Sequence, residues 1–159
     1  MSRVFKPDAP ATKRLTGWWA GLQDDRGTRA ELRRCANPQQ VLFTPAYQRL
    51  CAELTPHMEG QYGWEERLAG VIGLLAHVKA SANKSLAEAM AGKPPVVSEL
   101  RFRRLLQRDR NNLYGAMIRI LRMLDGKANL PDLMASVFDW DDGVRKRWSF
   151  AYFPNTPAK

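Results

Sequence analysis

The chain has 159 residues, with 25 Lys and Arg against 16 Asp and Glu, a formal charge of +9 and a pI near 10.0. That length holds one good core or two small ones, and that charge limits the expected partners to nucleic acid, an anionic membrane surface or an acidic protein. No apolar run of about 18 residues is present to span a membrane, and Met1-Ser2-Arg3-Val4-Phe5-Lys6-Pro7-Asp8 has no hydrophobic signal region, so a cytoplasmic protein with no membrane partner is expected.

Residues 1–12, rich in Pro and Ala, read as a flexible lead-in. Leu15, Trp18, Trp19 and Leu22 then recur at helical spacing, predicting an amphipathic helix from Thr12 to Leu22 that ends near Asp24-Asp25-Arg26-Gly27. Thr28 and Glu31 stand at capping-box spacing before a short helix through Cys35, and Asn37-Pro38 stops it. Arg33 and Arg34 at its end are explained equally by the helix dipole and by a ligand. Thr44-Pro45 opens another helix with Tyr47, Leu50, Cys51 and Leu54 inward, and Thr55-Pro56 ends it. The next segment, Arg67 to Ala80, is apolar almost all round and is expected at the centre of the N-terminal half. After a polar break from Lys79 to Lys84, Ser85 and Glu88 form a second capping-box pair for a short helix to Ala91.

Gly92-Lys93-Pro94-Pro95 is the clearest punctuation, so residues 13–91 and 98–153 are expected as two small helical bundles joined near 92–97. The second opens with the most charged stretch of the chain. Between Glu99 and Arg122 lie seven arginines, two acids and no lysine. Arg101, Arg104 and Arg108 fall on one helical stripe, with Phe102, Leu105, Leu106 and Gln107 round from it. Asp and Asn compete for backbone hydrogen bonds in helix interiors, so Asp109 to Asn112 is predicted to break the helix, a second one starting near Asn111 or Asn112. Leu113, Met117, Ile120, Leu121 and Leu124 then face inward, and Arg119 and Arg122 form a patch of their own; an unbroken helix would instead join them to the Arg101 stripe. A turn at Asp125-Gly126-Lys127 leads to a helix from Pro131, and a last helix from Val144 to Phe153 carries Arg145, Lys146 and Arg147. Residues 154–159 are expected as a disordered tail. Val41-Leu42-Phe43 and Val96-Val97 are too short for a sheet, and the fold class is all-α.

The chemistry is narrow. Cys35, Cys51, His57 and His77 lack disulfide or metal-ligand spacing and read as packing residues. No Gly-rich phosphate loop, no G-x-S-x-G elbow and no catalytic constellation occurs, so neither an enzyme nor a cofactor is expected. The arginine run is the functional candidate. Charge runs are commonly solvated faces, but few acids stand at i+3 or i+4 here, so this face repels itself unless an anion meets it. The planar Arg fork suits phosphate.

The order of features resembles the CasB family, the small subunit of the type I-E Cascade complex of CRISPR antiviral defence. The resemblance runs over roughly residues 15–153 through Trp18-Trp19, Leu22, Gly27, Leu32-Arg33-Arg34, Pro38, Pro45 to Leu50, Ser85 to Met90, Glu99 to Arg101, Leu105-Leu106, Asp109-Arg110, Arg119, Leu133-Met134 and Trp140. It implies a non-enzymatic RNA- and DNA-binding protein of two helical bundles, present as a dimer in the complex. Its partners would be a second copy of itself, the other Cascade subunits, CRISPR RNA and target DNA, and it would hold the opened duplex by contacts to the displaced strand and beside the guide–target heteroduplex. The contacts it implies come from Arg34, Arg101, Arg110 and Arg119, with Arg67, Arg145 and Lys146 also in place. Gln107 departs from the basic residue of that pattern, so one contact is either missing there or supplied by Arg104 or Arg108. The alternative is a helical adaptor in a ribonucleoprotein whose arginines meet acidic protein surfaces. A sequence-reading helix-turn-helix protein is disfavoured, because no recognition helix with base-reading residues follows Asp109.

Overall fold

The computed structural model describes residues 4–158. Helix α1, Pro10–Leu22, begins two residues before the expected Thr12, with Pro10 in the first turn, where a missing N–H costs nothing. The lead-in is anchored: Val4 and Phe5 are buried, and the Phe5 ring packs edge-on against Phe138 at 5.1 Å. Helix α2, Arg26–Arg33, is capped by Asp25, whose carboxylate accepts from the Thr28 N–H at 3.2 Å. The expected Thr28–Glu31 box is displaced by this earlier cap, because an anion at the N-terminus also meets the helix dipole. Asn37-Pro38 does more than stop α2. The Asn37 side chain accepts from the Gln40 N–H at 2.9 Å and Pro38 opens α3, Pro38–Leu42, which the sequence reading lacks.

Helix α4, Pro45–Leu54, follows Thr44 as expected, its hydroxyl accepting from the Tyr47 N–H, and a short 3₁₀ turn over Thr55–His57 closes it. Helix α5, Trp64–Leu75, is the hub. Every residue from Leu68 to Leu75 is buried, and α3, α9, α4, α8 and α2 all pack on it. It stops at Leu75 rather than Ala80, because the chain leaves to form β1, Ala80–Ser81, paired in parallel with β2, Lys127–Ala128. This two-residue pairing is missing from the sequence reading. It sits where Gly126, at φ +73°, turns its carbonyl to accept from the N–H groups of Lys79 and Ala80. No propensity marks such a pair.

Helix α6, Leu86–Met90, takes the predicted Ser85 cap, and the Ser85 hydroxyl also donates to Glu88 Oε1 at 2.8 Å. Helices α7, Glu99–Leu106, α8, Arg110–Met123, α9, Leu130–Phe138, and α10, Asp142–Tyr152, complete the all-α fold. One apolar cluster runs through both helical halves: α5 packs on α9 and α6 on α10 across the expected joint. At the end of the chain a 3₁₀ turn spans Phe153–Asn155, and the Thr156 hydroxyl accepts from the Gly92 N–H at 3.3 Å. The start of the tail expected to be disordered is therefore tied down. Among the described residues, no helix is long and apolar enough to cross a membrane.

Candidate nucleic-acid interface

The predicted break is real. Ser98 caps α7, its hydroxyl accepting from the Arg101 N–H at 3.3 Å, and α7 ends at Leu106. Asp109 Oδ1 then accepts from the Asn112 N–H at 2.9 Å and starts α8 at Arg110, slightly earlier than expected. Phe102 and Leu105 are buried as predicted, so α7 turns its arginines outward.

Helix α10 pins the corner between α7 and α8 from behind. Arg145 Nε donates to the Leu106 carbonyl at 2.9 Å and Nη2 to the Arg108 carbonyl at 3.3 Å. Trp140 Nε1 donates to the same Arg108 carbonyl at 2.8 Å, and the Arg145 guanidinium lies over the Trp140 ring, 5.0 Å from its centroid. Arg145 thereby satisfies the Leu106 carbonyl, which α7 leaves without an intrahelical partner, and with Trp140 it meets the Arg108 carbonyl in the turn to α8.

The fixed corner brings Arg101 and Arg104 of α7, Arg108 of the turn that follows it and Arg119 of α8 around one open cleft of about 270 Å³. Leu105, Ala116, Ile120 and Met123 line the rest, and no acid does. None of the four arginines enters an ion pair among the described residues; Arg101 Nη1 only approaches Met123 Sδ at 3.6 Å. Arg119 thus joins the α7 arginines across the break instead of forming a separate patch with Arg122. The helix ends, but the angle between α7 and α8 restores the shared face.

The remaining predicted residues divide. Arg67 is taken up by the fold: Nε donates to the Phe138 carbonyl at 2.8 Å, Nη1 to the Tyr62 carbonyl at 2.9 Å and Nη2 to Asp139 Oδ1 at 3.0 Å. Its guanidinium also lies 4.0 Å from the Phe138 ring centroid. Arg145 is likewise engaged, with a further ion pair to Asp142 at 3.3 Å. Arg110 is half-buried beside Arg67 and donates to the Val137 carbonyl at 3.0 Å. Burial, and after it the Arg67 charge, draws the Arg110 pKa below its ordinary value. Arg34 at the end of α2 and Lys146 on α10 are exposed and lie outside the cleft. Arg147, adjacent to the predicted pair, bonds Ser136 Oγ at 2.7 Å and Asp132 at 3.3 Å. Arg29, absent from the sequence reading's candidates, stands with Arg33 and Arg122 close enough to His77 for their charges to act on it. No sequence spacing links α2 to α8, so only the tertiary fold reveals this group. Among the described residues, no cluster of His, Cys, Asp and Glu could hold a metal ion.

The fold and the site together define a small all-α protein with an acid-free cleft walled by arginines from α7, α8 and the turn between them. The profile of the CRISPR-associated protein Cse2 family matches residues 28–153, and the chain belongs to that family, the CasB family of the sequence resemblance. A chain in the crystal structure of E. coli Cascade bound to a PAM-containing dsDNA target shares the fold, with a TM-score of 0.64 at 19% identity over 89% of this chain and 95% of that one. No curated protein matches the sequence.

Proposed function

We propose that this chain is a non-catalytic small subunit of a Cascade-type, RNA-guided surveillance complex, and that its α7–α8 cleft holds nucleic-acid backbone and so stabilises the opened target duplex. The observation that carries this reading is the convergence of Arg101, Arg104, Arg108 and Arg119 on one cleft with no acid in its lining. Family membership sets the context. Guide RNA reads the sequence in such complexes, so an accessory subunit needs only backbone affinity, which arginines on rigid helices supply without base preference. Exchange of a DNA duplex for a guide–target hybrid is nearly balanced, so a few phosphate contacts tip it. Arg34, Arg110 and Lys146 would extend the contact, whereas Arg67 and Arg145 would hold the helices in place. Contacts to other Cascade subunits, to CRISPR RNA and to a second copy of the chain belong to the same reading. Exposed Val96, Leu100, Phe150 and Phe153 provide apolar surface for protein contacts.

The test is retention of target DNA by the reconstituted complex across a salt series. The complex is prepared with this chain, without it, or with Arg101→Ala, Arg104→Ala and Arg119→Ala combined. The triple variant is expected to assemble yet release DNA as salt rises, like the complex lacking the chain, with a log–log salt slope shallower by roughly two to three. Wild-type retention by the triple variant overturns the reading in favour of an adaptor that meets only protein.

A further inference from the structure

Outside the cleft, a group of cationic and unpartnered polar atoms lies between α2, α5 and α8. His77 follows the last turn of α5 and is 8% exposed, and its Nε2 is buried with no hydrogen-bond partner among the described residues. Arg29 Nε, on α2, is buried and unpartnered as well. Arg29 and Arg33 on α2 and Arg122 near the end of α8 form no ion pair among the described residues. The charges of Arg33, Arg122 and Arg29 all act on His77.

No other element packed on α5 answers this charge. Helix α3 has no titratable side chain. Tyr47 of α4 donates to the Glu65 carbonyl, and Glu53 pairs with Arg14. Asp132 of α9 accepts from the Leu86 N–H, Ser136 and Arg147. Burial and then the three arginines hold the His77 imidazole neutral, lowering its pKa to about 4.

An unmet buried N–H carries its full desolvation penalty, and three guanidiniums with no ion-pair partner among the described residues repel one another. A phosphate oxyanion removes both costs together: its oxygens accept from the Arg29 N–H and the Arg forks, and its charge balances theirs. We propose that Arg29, Arg33, Arg122 and His77 form a second phosphate-binding site, on the flank of α8 away from the arginine cleft, taking the oxyanion of a nucleic-acid backbone or of free phosphate. As a backbone contact the site rests on the function proposed above; as a phosphate site it does not. Arg119 and Arg122 stand three apart on α8, one lining the cleft and the other acting on His77, so a strand crossing α8 from the cleft reaches the second site.

The chain contains two histidines, His57 and His77, which makes imidazole NMR of the purified full-length protein a clean readout. A bound anion favours the imidazolium. Inorganic phosphate should therefore move the His77 resonances saturably and raise the pH of its titration midpoint by about one unit or more. Arg33→Ala with Arg122→Ala, both at exposed positions, should abolish the response. A short single-stranded oligonucleotide forms the second arm. His77 perturbation by the oligonucleotide identifies backbone phosphate as the ligand, and perturbation by inorganic phosphate alone identifies a small anion. Silence of His77 in both arms, or an undiminished response in the double variant, overturns the site. Loss of DNA retention in the cleft variant with the His77 response intact separates this site from the cleft.

Discussion

Replacing Arg145 by alanine separates the two roles that a basic residue on α10 can have. Its side chain is 28% exposed and donates to the carbonyls of Leu106, the last residue of α7, and of Arg108 in the turn to α8, while lying over Trp140. Two hydrogen bonds from a charged donor contribute about 1.5–3 kcal/mol each at full burial. Partial exposure and water's access to the freed carbonyls reduce the sum to about 2 kcal/mol, to which the exposed Asp142 pair adds little. In a chain of this size that corresponds to a fall in Tm of roughly 4–8 °C. The assay is thermal and urea unfolding of Arg145→Ala and Arg145→Lys beside wild type. Lysine keeps the charge but cannot bridge two carbonyls with a rigid fork, so it should lose most of the same stability. If Arg145 were a phosphate contact, Lys would retain the salt dependence of DNA binding and both variants would melt like wild type. That pattern would refute the positioning role and return Arg145 to the interface.

Three further outcomes follow from the same geometry. Gly73→Ala places a methyl group against the Tyr114 hydroxyl and 2.8 Å from Val41 Cγ2 in a fully packed region, so stability should fall by about 1–3 kcal/mol, read as a lower urea midpoint at unchanged m. Asp109→Ala removes the α8 cap and should cost about 1 kcal/mol in the same experiment. His77 has a folded pKa of about 4, below its unfolded value of 6.5, so its contribution to stability is complete above pH 6.5 and is lost as pH falls towards 4. The stability difference between wild type and His77→Gln should therefore shift against wild type across that interval, and a flat difference would contradict the burial of a neutral imidazole.

The all-α class, most caps and the arginine stripe were legible because each is a local pattern: Thr44-Pro45, Ser85 with Glu88, and Asp109 all begin helices where their side chains can reach a backbone N–H. The Asp25 cap was mistaken for Thr28 because two adequate acceptors lie within one turn, and sequence cannot rank them. Helix α3 was lost because a short helix carries little periodicity and Asn37-Pro38 signals a stop and a start equally well. Burial of Phe5 depends on Phe138, on the far side of the sequence, and no local composition encodes that contact. The site was half legible. Spacing placed Arg101, Arg104 and Arg108 together, whereas the approach of Arg119 depends on the α7–α8 angle that Arg145 sets from α10 and Trp140 from the turn before it.

That dependence bears on how the basic residues should be read. Arg67, Arg145 and Arg147 each donate to a backbone carbonyl, carboxylate or hydroxyl of α7, α9 or their connections. Among the described residues Arg101, Arg104, Arg108 and Arg119 make no such bond, Arg101 meeting only Met123 Sδ, and no acid lines their cleft. The first set fixes helix ends with planar forks whose hydrogens are largely committed, so it adds positive potential without adding exchangeable phosphate contacts. The second set is electrostatically unsatisfied in the free chain and gains most from an anion. The net charge of +9 therefore overstates the number of phosphates the chain can neutralise. Salt dependence should follow the free arginines, at roughly 0.7 per phosphate of single strand, rather than the total charge. A chain that kept the α7–α8 arginines but lost the Arg145 fork would keep its charge and lose the geometry that makes four separate cations one site.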